Sequence, residues 1–310
     1  MRCGNYWLAG IALTLVAAML LLPSQAPAQT LRIVARLTPE AGRVVDAALL
    51  GADHLLLLYP DAGRIADYTL DGELHQHILR EGGRELRFRP SACVAAPDGN
   101  LLVFDEAAHK VFFIGPDGNI FRGVDLAWPE PGGQLLALSS VGDLTLGASN
   151  VIWATLPERG VLAGFDRDGN HAATLDLAAL LPYDPAVYTR AQLLSDGSLF
   201  VLEYHQGAVL YRRGSQGAFR RLRLAAPQDS VALPALQDFA VDDAGRVLLV
   251  THSEEAPLTM LLPGDGGYQS HPVGLDLPGG NRRLACRWSA GMFIVWTRDE
   301  TEVIVLEFVP

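Results

Sequence analysis

Charged side chains recur at one position of a repeated pattern in this 310-residue chain. Asp46, Asp143 and Asp238 each stand seven residues before a turn-forming residue, and Arg190 holds the same position before another. Carboxylates at one level can accept hydrogen bonds from neighbouring loops, bind a polar ligand or hold a hard cation such as Ca²⁺. Because buried charges are normally paired, Arg190 is expected to pair with one aspartate. Structural pairing, a ligand site and a weaker metal site formed by the three aspartates all remain open.

Further candidate ligand-binding residues lie where irregular segments join strands. They are Arg89, Asp105, Glu203, His252 and Arg283. Planar guanidinium groups suit the recognition of carboxylates or phosphates. Arg89, however, ends an arginine-rich segment, residues 80–89, whose interleaved glutamates are also typical of a self-neutralised, solvated surface.

The sequence does not identify catalytic residues. His109, His205 and His252 lack the local spacing of zinc ligands. The chain has no Gly-x-Ser-x-Gly motif and no Ser/His/Asp set that spacing could assign. Binding is therefore favoured over catalysis. The alternative is a metal-dependent hydrolase or lyase that uses the aspartates.

A repeated turn shows which elements must position these residues. Pro97-Asp98-Gly99-Asn100 and Pro116-Asp117-Gly118-Asn119 flank apolar runs at residues 101–104 and 111–114, a pattern typical of tight hairpins between antiparallel strands. Equivalent turn formers follow along the chain at intervals of 46, 51, 47, 48 and 46 residues: Asp53, Gly99, Asn150, Gly197, Gly245 and Gly291. A period of roughly 40 to 50 residues with four strands indicates a β-propeller. We predict an all-β, six-bladed β-propeller.

The two ends of the chain are predicted to share the last blade. Strands are expected at residues 284–287, 292–297 and 303–309, which leaves that blade one strand short. The segment Leu31–Leu37, "LRIVARL", precedes the first complete unit and has no blade of its own. An N-terminal strand closing the last blade would remove an open sheet edge.

The propeller places function on one face, which we call the mouth face. In a four-stranded meander the tight turns fall on the opposite face, here called the turn face. The mouth face then receives the longer segments, around residues 38–44, 80–90, 128–134, 180–189, 225–237 and 277–283. Binding residues are usually carried on such loops over a rigid scaffold. The charged positions lie at the mouth end of the innermost strands.

The first 28 residues are predicted to be a signal peptide. Arg2 precedes an apolar run from Trp7 to Leu22, and Ala26-Pro27-Ala28 fits signal-peptidase cleavage before Gln29. Residues 29–310 then form a single domain in the bacterial periplasm or outside the cell, with no membrane span after cleavage. Cys93 and Cys286 are assigned to non-adjacent blades and are expected to be buried free thiols.

The composition of the chain limits the classes of partner that it is expected to bind. The formal net charge of −11 disfavours nucleic acid and anionic membranes. We expect a monomer whose partner is a small polar ligand or an envelope protein.

Residues 89–122, "RPSACVAAPDGNLLVFDEAAHKVFFIGPDGNIFR", resemble an NHL-type repeat. This resemblance implies an exported six-bladed propeller of bacterial type and says little about activity. Amidating lyases built on NHL-like propellers hold zinc with histidines just before the inner strands, where this chain has none. The metal-binding Glu-Gly-Pro of gluconolactonase-like propellers is absent too.

These observations predict an exported propeller that binds a small polar ligand or a protein partner at the mouth face and carries no catalytic activity or cofactor. Ca²⁺ at the aspartates is the alternative on the cofactor. A structural subunit of an envelope complex is a further alternative on function.

Overall fold

The computed structural model describes most of the chain from Thr30 onward. The described residues are 30–51, 53–78, 88–130, 132–147, 150–177, 188–204, 208–214, 217–218, 220–222, 236–253, 257–264, 267–275, 284–298 and 302–309. The chain divides into two units, Met1–Arg32 with Phe308–Pro310, and Ile33–Glu307. Of the first unit the structure describes only residues 30–32 and 308–309. The second unit contains the fold and the site discussed below.

The described chain is all-β and forms a six-bladed β-propeller of four-stranded antiparallel sheets, which confirms the predicted fold class. Blade 1 consists of β2 (Asp46–Leu50), β3 (His54–Tyr59), β4 (Arg64–Thr69) and β5 (Leu74–Ile78). Blade 2 consists of β6 (Pro90–Ala95), β7 (Leu101–Asp105), β8 (Lys110–Ile114) and β9 (Ile120–Asp125). A hairpin of β10 (Ala127–Pro129) and β11 (Leu135–Ala137) precedes blade 3, which consists of β12 (Asp143–Leu146), β13 (Ile152–Leu156), β14 (Val161–Phe165) and β15 (His171–Asp176).

The second half of the chain repeats this order. Blade 4 consists of β16 (Tyr188–Leu193), β17 (Leu199–Tyr204), β18 (Ala208–Arg213) and β19 (Arg220–Arg221). Blade 5 consists of β20 (Leu236–Val241), β21 (Val247–Thr251), β22 (Leu258–Gly264) and β23 (Gly267–Pro272). Blade 6 contains β24 (Leu284–Ser289), β25 (Met292–Thr297) and β26 (Val303–Val309).

The N-terminal strand completes blade 6, as the sequence predicts. β1 (Thr30–Leu37) is the outermost strand of the sheet whose order is β1-β26-β25-β24. Ala35 and Leu37 are buried in one apolar cluster with Trp296 and Val305. Burial of these side chains stabilises the closed sheet.

Burial follows the position of a strand within its blade. All five residues of β7 are buried, since the inner strands are covered on both faces by neighbouring blades. The outermost strand β15 alternates half-buried and exposed residues, as expected where one face meets water. The apolar core therefore lies in layers between adjacent blades, for example between blades 1 and 2 and between blades 2 and 3.

The repeated Pro-Asp-Gly-Asn segments form the predicted tight turns. Gly99 and Gly118 adopt φ values of 82° and 78°, which glycine tolerates without steric strain. In each turn the aspartate accepts a hydrogen bond from the asparagine amide two residues later, with distances of 3.2 Å at Asn100 and 3.1 Å at Asn119.

Three further features bear on the sequence predictions. Residues 128–134, expected as an open mouth-face loop, belong largely to the β10–β11 hairpin. Cys93 and Cys286 are buried free thiols, and burial raises the pKa of both. Within the part of the chain that the structure describes, no helix has the length and apolar character needed to cross a bilayer.

Candidate functional site: a charged ring on the propeller axis

The four charged positions predicted from the sequence lie together. Arg190 in blade 4 connects two of the aspartates: its Nη1 lies 2.5 Å from Asp238 Oδ2, and its Nε lies 3.3 Å from Asp143 Oδ2. Asp46, Asp143 and Asp238 are 5%, 6% and 1% exposed. The expected pairing of Arg190 is therefore present, and it involves two carboxylates from the neighbouring blades.

A fifth charge, which was not predicted from the sequence, joins this set. Arg287, in the inner strand of blade 6, places Nε 2.9 Å from Asp46 Oδ1 and hydrogen-bonds Asp143 Oδ1 through Nη2. Its Nη1 donates to the carbonyl oxygens of Cys93 and, at 3.3 Å, Leu144. We call Asp46, Asp143, Arg190, Asp238 and Arg287 the charged ring.

A sequence signal for Arg287 does exist. It stands four residues before the aligned turn residue of its blade, and the other five blades have apolar residues at that position: Leu49, Ala95, Leu146, Leu193 and Val241. A single arginine at an otherwise apolar, inward-facing position requires buried acidic partners. The charged positions three residues earlier supply them.

The aspartates also connect adjacent blades through the backbone. Asp46 Oδ2 in blade 1 accepts a hydrogen bond of 2.8 Å from the amide of Cys93 in blade 2. Asp238 Oδ2 in blade 5 accepts one of 3.1 Å from the amide of Cys286 in blade 6. The remaining oxygens accept from the amides that follow their own residues or contact the two arginines. Each of the six carboxylate oxygens thus has a protein partner.

The ring holds one more carboxylate than guanidinium. Burial raises the pKa of Asp46, and Asp143 adds to this effect, although Arg287 opposes it. Burial alone would lower the pKa of Arg287, but Asp143 and Asp46 outweigh it and raise that pKa. The two shifts are compatible. Each guanidinium contacts two carboxylates, which favours its charged form, whereas the excess of one carboxylate in the ring adds to the free energy needed to ionise Asp46.

The ring forms the floor of a cavity of about 290 Å³, which we call the mouth cavity. Eight of its eleven lining residues are polar or charged, so its chemistry is polar: Asp46, Ser91, Asp143, Arg190, Gln237, Asp238, Arg287 and Arg298. Arg298 is the accessible member, with 44% of its side chain exposed and Nη2 3.8 Å from Asp238 Oδ2. Arg190 is 12% exposed, whereas the three aspartate side chains are 8% exposed or less.

Irregularities in strand pairing shape the rim of this cavity. The pairing of inner strands shifts between Pro90 and Ala92 in blade 2 and between Leu236 and Asp238 in blade 5. Ser91 and Gln237, the residues at these shifts, both line the cavity. Such bulges re-aim side chains at a sheet edge, and the alternating pattern of the sequence does not reveal them.

Arg89 and Asp105 lie outside the lining of the mouth cavity. The Arg89 side chain is 62% exposed and pairs with Glu106 at 3.3 Å. Asp105 is fully buried, and its Oδ1 accepts hydrogen bonds from the amides of Arg89 at 2.8 Å and Ala107 at 3.0 Å. Both residues organise the loop between the second and third strands of blade 2.

The other predicted residues are only partly described. His252 Nδ1 lies 2.7 Å from Nε2 of Gln237, which lines the mouth cavity, so His252 is connected to the cavity through this glutamine. Glu203 belongs to β17, but its side chain is outside the described part of the structure, as are Arg283 and His205. His109 contacts the Leu138 carbonyl oxygen at 3.3 Å through Nδ1. The arrangement of these residues around a ligand remains a prediction.

The described residues do not form a metal centre of three or more histidine, cysteine or acidic side chains. The three aspartates at the ring, which the sequence offers only as weak candidates for a metal site, face two guanidinium groups. A divalent cation at this level would meet their positive charge as well as the carboxylates.

Comparisons with known proteins identify the fold. No family model matches the sequence, and no curated protein is similar to it. The structure is similar to virginiamycin B lyase from Staphylococcus aureus, with 12% identity and a TM-score of 0.60 over 91% of this chain and 100% of the lyase. It is also similar to a putative gluconolactonase, with 13% identity and a TM-score of 0.54 over 91% of this chain and 93% of that protein.

A third similar structure is a protein of unknown function from Bacteroides thetaiotaomicron, with 12% identity and a TM-score of 0.61 over 91% of this chain and 76% of that one. At these identities the likeness shows a shared propeller fold. The NHL-type resemblance is not confirmed by a family model.

Proposed function

We propose that this protein is an exported propeller that binds a small, neutral, oxygen-rich ligand in the mouth cavity. The observation that carries the proposal is the contrast between the accessible and the buried groups there. The exposed Arg298 and the partly exposed Arg190 offer donors, while the carboxylate oxygens are already engaged by the protein. A ligand in this cavity therefore meets hydrogen-bond donors.

The charge of the ring further limits the chemical class of the ligand. Guanidinium donors select acceptor oxygens, such as hydroxyl, carbonyl or carboxylate groups. The buried ring, however, already holds three carboxylates and two guanidiniums, and the raised pKa of Asp46 reflects the free energy needed to bury the surplus charge. Another anion close to it adds repulsion. Neutral polyols, lactones and amides fit both conditions better than carboxylates or phosphates do.

Binding is favoured over the alternative of metal-dependent hydrolysis or elimination. Two of the structurally similar proteins are a lyase and a putative gluconolactonase, which are enzymes. In this chain the candidate carboxylates for a metal are instead occupied by Arg190 and Arg287. Catalysis through a metal at the ring would require both ion-pair sets to be broken.

The proposal is tested by thermal shift and calorimetry on the mature chain. The probes are D-glucose, D-glucono-1,5-lactone, N-acetylglycinamide, citrate and CaCl₂. We expect saturable binding of at least one neutral probe and no comparable effect of citrate or Ca²⁺. Stabilisation by Ca²⁺ alone would favour the metal alternative, and an inert panel would overturn the proposal.

A matched pair of variants locates the binding. Arg298→Gln removes the exposed guanidinium, and we expect affinity to fall about 10-fold or more, as for the loss of a charge-assisted hydrogen bond. Arg89→Gln removes an exposed arginine that lies outside the cavity lining and should leave affinity unchanged. The reverse result would place the ligand near Arg89 instead.

Export is part of the same proposal. The leader of residues 1–28 supports a mature protein that begins at Gln29 and works in the periplasm or outside the cell. The intact mass of protein recovered from the periplasm tests this, and a mass that retains Met1 would contradict it.

A further inference from the structure

A second cavity lies on the turn face of the propeller. Its volume is about 470 Å³, and residues from all six blades line it. We call it the turn-face cavity. Arg287 lines both this cavity and the mouth cavity, so this residue lies between them. The sequence predicts tight turns on the turn face and no function there.

The walls of the turn-face cavity are mostly apolar: 15 of its 22 lining residues are apolar or glycine, and the polar ones are Thr145, Asn150, Gln192, Ser195, Asp243, Arg287 and Ser289. Val94, Leu146 and Leu193 come from the inner strands of blades 2, 3 and 4, and Trp288 comes from blade 6. These four side chains are half-buried, and Val94, Leu146 and Leu193 also pack against the apolar layers between blades. Since neighbouring blades cover the faces of these strands, their remaining exposure is toward the cavity. Small-molecule sites of a few hundred Å³ are typically lined in this way.

The guanidinium of Arg287 determines which chemical group can pack on the floor of this cavity. The hydrogen bonds of a guanidinium lie in its plane. Arg287 directs them from Nη1 and Nη2 to Asp143 and the carbonyl oxygens of Cys93 and Leu144, in blades 2 and 3, while its Nε lies 2.9 Å from Asp46 Oδ1 in an ion pair. With its edges engaged in this way, the surface that it offers to a cavity is a flat face. Guanidinium faces stack on aromatic rings.

We propose that the turn-face cavity binds a small, planar, uncharged aromatic molecule. The ring of the ligand stacks on the face of Arg287, and its edges contact the aliphatic walls and the indole of Trp288. Trp288 is held by a tilted contact with Phe293, at 4.7 Å between ring centroids, and its Nε1 lies 3.4 Å from Asp243 Oδ2. This site is independent of the ligand proposed for the mouth cavity.

Phenol and cyclohexanol, which have similar size and one hydroxyl each, test the stacking by isothermal titration calorimetry on the mature chain. We expect saturable binding of phenol at least about fivefold tighter than that of cyclohexanol, in line with the modest energy of aromatic stacking. Equal affinities would overturn the stacking argument. Absence of saturable phenol binding would overturn the site.

Variants place the phenol. Leu193→Trp and, as a second filling variant, Val94→Phe should each weaken phenol binding at least about 10-fold, because the larger side chain occupies the cavity. Leu135→Trp, at a 61% exposed position in the β10–β11 hairpin, is the matched control and should bind phenol normally. Unchanged binding in both filled variants overturns the proposal. Loss of phenol binding in Arg298→Gln would also overturn it, since the ligand would then occupy the mouth cavity.

Discussion

Arg287 and Asp143 form a buried ion pair between blade 6 and blade 3. Arg287 also contacts Asp46 in blade 1 and the backbone of blade 2 at Cys93. One side chain therefore connects four of the six blades at the axis. The apolar layers join each blade only to its neighbours, so this arginine supplies contacts that blade-to-blade packing cannot.

Replacing Arg287 should destabilise the whole propeller. Arg287→Met leaves two carboxylates buried without their main cation, and breaking a buried pair in this way costs roughly 3–5 kcal/mol. Urea denaturation monitored by circular dichroism measures the loss. Arg36→Met is the control, since Arg36 is 41% exposed and pairs with Glu302 at 3.4 Å; its loss should be about 1 kcal/mol or less.

A second substitution shows whether charge causes that loss. Adding Asp143→Asn to Arg287→Met removes one of the stranded carboxylates, and we expect it to restore part of the free energy of unfolding. If the double variant is less stable than Arg287→Met, packing rather than charge dominates at this position.

The contribution of Asp46 should depend on pH. Its pKa is raised in the folded protein, so the native state binds more protons than the unfolded state between about pH 4, the ordinary range of an aspartate, and the raised pKa. Stability from this group is then greatest at low pH and falls as pH rises through the raised pKa. Asp46→Asn removes this dependence.

The test compares the unfolding free energies of the wild type and Asp46→Asn between about pH 3.5 and 8. The difference cancels the other carboxylates and isolates Asp46. Relative to the variant, the wild type should lose stability as pH increases. A relative gain with increasing pH would mean that Arg287 outweighs burial at this carboxyl.

Gln192 is expected to hold blades 4 and 5 together. Its Oε1 accepts a hydrogen bond of 2.9 Å from the amide of Val241, and its Nε2 donates one of 2.6 Å to the carbonyl oxygen of the same residue. Gln192→Ala leaves both backbone groups without these partners, which costs about 1–3 kcal/mol. Thermal unfolding measures this, with the exposed Gln134→Ala as the control. Equal melting temperatures of the two variants would show that water replaces the lost bonds without penalty.

Closure of blade 6 should depend on β1. Deletion of residues 31–37 removes Ala35 and Leu37 from their apolar cluster and exposes the edge of β26, so we expect aggregation or a large loss of stability. Size-exclusion chromatography and melting temperature are the measurements. A soluble, truncated protein with unchanged melting would show that the remaining strands of blade 6 suffice.

The fold was predictable from the sequence because its signals are local and repeated. The turn at Gly99 recurs at near-constant intervals, and each recurrence lies between apolar runs that form paired strands. The charged positions Asp46 and Asp238 followed from the same alignment. The contacts that these aspartates make with arginines of other blades did not follow from the alignment. Spacing along the chain indicates which level of a blade a residue occupies, but not which side chains contact each other across the propeller axis.

The limits of the sequence are clearest at Gln237 and Arg298. Gln237 enters the mouth cavity at an irregularity in strand pairing, which no alternation of side chains announces. Arg298 follows the second strand of blade 6 and belongs to the cavity because of how that strand ends. Both placements depend on backbone geometry after the blades have assembled.

The position of β1 beside β26 also bears on the order of folding. Residues 38–302 separate these strands, so the sheet that contains them cannot form until that whole segment is available. Contacts between such distant segments carry a large loop-closure entropy and are associated with slow folding. We therefore expect blades 1 to 5 to form first and the joining of the two ends to limit the rate. Throughout that interval β1 has no strand partner, so we expect it to be a segment that a chaperone would protect.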